Sequence, residues 1–83
     1  MKIAENITYK TLQDKVVAVD ITTGVYYTMN AVASHIWLLL EKHAEKQELL
    51  DALIKDFPDT PPAQIEADLD EQLGYWKDEK MIV

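Results

Sequence analysis

Apolar and polar residues alternate with a period of two through the first third of the chain, and then with a period of three to four; the change marks a strand region followed by a helical one. From Asn6 to Leu12, Ile7, Tyr9 and Thr11 alternate with Thr8, Lys10 and Leu12, which predicts a first strand. Gln13, Asp14 and Lys15 supply a polar break, and Val16 to Asp20 predicts a second strand. Thr22-Thr23-Gly24 then provides a tight turn whose glycine takes a positive φ at little cost. Val25 to Met29, charge-free and β-prone, returns as a third strand.

Asn30 carries a short side chain able to accept a bond from an early helix amide, so Ala31 to about Lys42 is expected to be helical. Val32, Ile36, Leu39 and Leu40 recur at helical spacing and Trp37 and Leu38 fill adjoining positions, which predicts burial on more than one side. After the polar His43 to Lys46 segment, Leu49, Leu50, Leu53, Ile54 and Phe57 mark a second amphipathic helix stopped by Pro58. Thr60-Pro61-Pro62 restarts the chain with Thr60 as a candidate cap, and Ile65, Leu69, Leu73 and Trp76 stripe a third helix before an apolar tail, Met81-Ile82-Val83. Three short antiparallel strands followed by three helices make an α+β arrangement of the winged-helix type.

Composition narrows the function classes. Eighty-three residues suit one domain, 1–83, of modest stability. The chain has no cysteine, so it has neither a disulfide framework nor a thiolate ligand or nucleophile, and a reducing cytoplasm is the expected compartment. Its longest apolar run, Ile36 to Leu40, is far too short to cross a bilayer, and the first residues lack an apolar stretch of signal-peptide length. Fifteen acidic against eight basic side chains give a net charge of −7, which repels nucleic acid and anionic membranes and favours a peptide or protein partner.

Catalytic chemistry finds little support. His35 and His43 are two turns apart with only Glu41 as a weak third ligand, so no metal site is expected. Asp68 and Glu71 share a water-exposed helix with no nucleophile nearby, and Gly24 and Gly74, the only glycines, form no phosphate loop. No cofactor and no catalytic residue are expected.

The pattern Val19-Asp20-x3-Gly24-x-Tyr26-Tyr27-x-Met29-Asn30-x5-Ile36-Trp37, together with Ile65-x2-Asp68-Leu69-x3-Leu73 and a terminal Lys80-Met81-Ile82, resembles the PqqD-like family. Its members recognise the leader peptides of ribosomally made, post-translationally modified peptides. The likeness runs from about Val16 to Ile82. Lys80-Met81 stands where a Gly-Leu pair is usual, and no glycine follows the first helix. Thr22-Thr23-Gly24 replaces the proline-glutamate-glycine turn associated with the pyrroloquinoline quinone pathway, so the chain looks more like the freestanding leader-binding subunits of lasso-peptide clusters.

The resemblance implies that a leader adds as a strand to Val25, Tyr26, Tyr27, Thr28 and Met29, with Asp68, Leu69, Gln72 and Trp76 of the third helix as the opposite wall or its floor. Ladder bonds then supply sequence-tolerant affinity, and pockets for alternate side chains select the leader. Tyr26 and Tyr27 point to opposite faces, and alternation does not say which faces inward. A proline at Tyr27 weakens docking only if that amide faces outward. Leu69, Leu73 and Trp76 suit the core first, and a groove residue can serve both purposes. Partners implied are the precursor leader, a leader peptidase and an ATP-dependent cyclase. A pyrroloquinoline quinone-pathway chaperone, a winged-helix DNA-binding regulator and an edge-paired homodimer are the competing readings. The acidic third helix, with only Lys77 among its carboxylates, argues against DNA and suits leaders carrying lysine or arginine.

Overall fold

A computed structural model describes residues 1–83. The strands are β1 (Ile7–Leu12), β2 (Lys15–Asp20) and β3 (Tyr26–Thr28), and the helices are α1 (Ala31–Leu40), α2 (Lys46–Asp56) and α3 (Pro62–Asp78). The three strands form one antiparallel sheet in the order β1-β2-β3, followed by the three helices, an α+β fold with the expected element order. The β1–β2 hairpin closes on the Leu12 and Lys15 pair, so Lys15 belongs to β2 and not to the break before it. Gln13 takes the positive φ, 59°, that so short a connection demands.

One face of the sheet meets the helices. Val16 and Ala18 are fully buried against a core that includes Trp37, Leu49, Leu69 and Trp76. Trp37 stands at the centre, edge-on to Trp76 at 5.0 Å and to Tyr9 at 5.8 Å between ring centroids. Its indole Nε1 is buried and has no acceptor. Burial on α1 falls on Ile36, Trp37 and Leu40, whereas Val32 and Leu38 are exposed; Val32 lies in the first turn, where α1 overhangs a surface groove instead of the core.

The helix ends explain two local differences from the sequence pattern. Asn30 caps α1 as expected, its Oδ1 accepting from the Ala33 amide at 2.8 Å. Pro61, not Thr60, occupies the position before α3, with no side-chain cap; Pro62 at the first helical position has no amide to satisfy. At the other end of α3, Lys80 adopts φ 59° while the Met81 amide reaches Trp76 O at 2.8 Å and the Lys80 amide reaches Lys77 O at 3.0 Å. This pair of bonds is the Schellman arrangement, and lysine holds the left-handed position that glycine fills most easily. The tail beyond it is not loose: Lys2 and Val83 exchange backbone bonds of 2.8 Å each, and the Ala4 amide donates to Met81 O at 2.9 Å. Nothing in the local pattern of either segment signals that pairing.

Candidate functional site

The β2–β3 connection is tied down before β3 begins. Asp20 Oδ1 accepts from the Thr22 amide at 2.9 Å and the Thr23 amide at 3.3 Å, and Gly24, at φ +78°, returns its amide to Asp20 O at 2.7 Å. Hydrogen bonds from the Asn6 side chain and from those turn amides hold the Asp20 carboxyl below its ordinary pKa.

At the far end of β3 a buried serine takes the place of a ladder bond. Ser34 Oγ accepts from the Val16 amide at 2.8 Å and donates to Met29 O at 3.3 Å, bridging two strand ends that otherwise share only the Met29 amide to Val16 O bond. The sequence pattern did not single out Ser34; a polar residue inside an apolar helical run was the available signal.

These bonds settle which backbone groups of β3 remain free. Asp20 N–H bonds Val25 O at 2.9 Å, and Met29 N–H bonds Val16 O at 3.1 Å, so odd-numbered residues of this segment turn their backbone to β2. Alternation along an antiparallel pair puts Tyr27 in the same class, opposite Ala18, and leaves the amides and carbonyls of Tyr26 and Thr28 on the open edge. The strand is thus shorter than Val25 to Met29, and two of its residues, not five, present free backbone groups. Tyr27 is not the position at which a proline tests that edge.

Side chains follow the opposite rule, alternating between faces. Tyr27 shares the inner face with Ala18 and is half-buried, its hydroxyl donating to Glu79 Oε2 at 3.5 Å. Loss of hydration, reinforced by the Glu79 and Asp20 carboxylates, raises its pKa. Tyr26 faces outward and is 72% exposed.

Between β3 and α3 lies a groove of about 360 Å³. Tyr26, Tyr27 and Thr28 form one side, Gln72 and Tyr75 the other, and Met29, Ala33 and Trp76 the bottom. Of the α3 residues singled out from sequence, Gln72 lines this groove and Trp76, 1% exposed, contributes only its upper edge. Leu69 is fully buried and lines no part of it, since the α3 stripe that carries it points into the core. Asp68 is one turn further along, in a second depression with Val32, Ile36 and Glu71 that joins the first through Asn30, Ala33, Gln72 and Tyr75. Tyr75, half exposed on the groove wall, was missed, although Asp68, Gln72 and Tyr75 follow the i, i+4, i+7 spacing of one helix face.

The acidic character of α3 is less complete than its sequence suggests. Lys46, from the first turn of α2, pairs with Asp70, whose hydrogen bond raises the lysine's pKa. Asp68, Glu71 and Glu79 have no such cation and stand beside the trench. No group of three or more His, Asp or Glu side chains is arranged to hold a metal ion, and no helix is long and apolar enough to cross a membrane.

Comparison with known proteins agrees with this fold. A solved structure described as TbiB1 in complex with the TbiA(beta) leader peptide superposes with a TM-score of 0.91 at 29% identity, covering 99% of this chain and 94% of that one. No curated protein matches significantly. The family model for coenzyme PQQ synthesis protein D (PqqD) matches residues 15–82, which takes in the whole of β2, the β3 edge and all three helices. The chain belongs to the PqqD family.

Proposed function

We propose that this protein is a non-catalytic carrier that captures the leader of a ribosomally made precursor peptide by strand addition to β3. The observation that carries the reading is the open edge of Tyr26 and Thr28 facing a wall of Gln72 and Tyr75, within a fold so similar to one solved with a leader peptide. An extended peptide laid there gains main-chain bonds from two residues and places alternate side chains in the groove. Delivery then works through effective concentration: a tethered core segment meets its maturation enzymes almost intramolecularly.

The enzymes in this reading are a leader peptidase and a cyclase of the lasso type, favoured over the pyrroloquinoline quinone pathway by the Thr22-Thr23-Gly24 turn. Duplex DNA suits the groove poorly, because Asp68, Glu71 and Glu79 repel phosphates along α3.

Titration of the labelled protein with a synthetic leader from the cognate precursor, followed by amide NMR, tests the reading. Strand addition shifts Tyr26, Thr28, Gln72 and Tyr75 and newly protects the Tyr26 and Thr28 amides from exchange. An unchanged spectrum at high micromolar peptide overturns it.

A further inference from the structure

The sheet has a second face, and no helix covers it. Strand register puts the side chains of Thr8, Lys10 and Leu12 from β1, Lys15, Val17 and Val19 from β2, and Tyr26 and Thr28 from β3 on the side away from the core. A solvent-facing antiparallel surface ordinarily alternates to polar residues. Here two valines run down the middle strand, flanked by Leu12 at 55% and Tyr26 at 72% exposure, around a depression of about 340 Å³. Strand propensity accounts for the valines but not for two large exposed apolar residues at the margins.

The charge on this face is equally distinctive. In a chain of net charge −7, none of its strand positions carries a carboxylate, and its two charges are the lysines at 10 and 15. We infer that the outer sheet face docks the maturation enzyme that receives the leader, through an apolar patch rimmed with carboxylates on that enzyme. The inference rests on the carrier reading. A leader strand added beside Tyr26 and Thr28 lies about 4.8 Å further along the same sheet, so its outward side chains continue this face. The enzyme therefore meets carrier and leader as one surface, and each raises the other's affinity for it.

A second copy of this chain is the poorer occupant. Two such faces stacked about a two-fold axis bring like-charged lysines together, and docking this face on the acidic α3 of another copy is a head-to-tail contact that does not close.

Two variants, Lys10→Glu/Lys15→Glu and Val17→Thr/Val19→Thr, test the surface, with circular dichroism reporting the fold. Leader affinity, read by fluorescence anisotropy, is expected to stay within about twofold, because no altered side chain lies on the open edge or in the groove. Affinity for the purified leader peptidase that cleaves the same precursor, measured with and without leader, is expected to fall at least about tenfold in the charge-reversed variant, most steeply at low salt. Unchanged peptidase affinity in both folded variants overturns the inference. So does a dimer of the wild-type protein in sedimentation that the same substitutions abolish. If the wild-type protein fails to bind the leader, the carrier reading falls, while the peptidase measurement on the free protein still decides this surface.

Discussion

The sheet ends in two open edges of very different design. β1 is the longer, and its inner face is closed: Tyr9 packs edge-on to Trp37, beside the carboxylate of Glu41 at the end of α1. β3 has only three residues, yet its inner side opens onto the groove before α3. Unpaired backbone groups exist on both. What separates them is the groove: β3 faces Gln72 and Tyr75 across it, whereas Tyr9 packs on Trp37 inside β1, so the edge proposed for docking is the one that stands opposite a wall.

Removing the shared support erases the contrast. Trp76 is buried under both edges through its contact with Trp37, and Trp76→Ala is expected to cost about 3–5 kcal/mol in urea unfolding, taking the groove bottom with it. Ser34→Ala acts on the β3 side alone. It strands a buried Val16 amide and the Met29 carbonyl, so a loss of about 1–3 kcal/mol and faster exchange around β3 are expected, with the β1 amides little affected.

Matched prolines sharpen the comparison further. The turned-out residues are Tyr26 and Thr28 on β3, and by the same alternation Ile7, Tyr9 and Thr11 on β1. Thr28→Pro removes an edge donor without breaking the native ladder and is expected to weaken leader binding at least about tenfold by calorimetry. Thr11→Pro makes the same change on the closed edge, where leader affinity should not move. Equal effects from the two would refute the assignment of β3 as the docking edge.

The smallest effect is the pH dependence that Tyr9 contributes on the β1 side. Burial, and then the Glu41 carboxylate, push the Tyr9 hydroxyl from 10.0 up to about 12. The fold holds this proton more tightly than the unfolded chain does, so its stabilisation is complete below pH 10 and is lost as the pH climbs towards 12. Urea midpoints of the wild-type protein and Tyr9→Phe at about pH 9 and about pH 11 isolate it; the wild-type protein should lose more, since lysine titration is common to both.

Much of this architecture was legible because its signals are local. The period-two runs, the Asn30 cap, the proline stop at Pro58 and the apolar stripe of α3 each depend on a few neighbouring residues. Tyr75 carried a comparable signal, an exposed aromatic in step with Asp68 and Gln72. Ser34 did not, because its role is to bond the ends of two strands that lie five and eighteen residues away.

Sequence alone determined the order of elements, the acidic character of α3, and the candidate strand from Val25 to Met29, since composition, periodicity and capping act over one or two turns of chain. Tertiary structure alone decided that Tyr27 faces inward and Tyr26 outward, that only two residues of β3 offer their backbone, and that Leu69 lies in the core while Gln72 and Tyr75 form the wall. Those outcomes depend on register and helix placement. Bonds such as Asp20 to Val25 and the packing of Trp37 on Trp76 set both, and neither exists until distant segments meet.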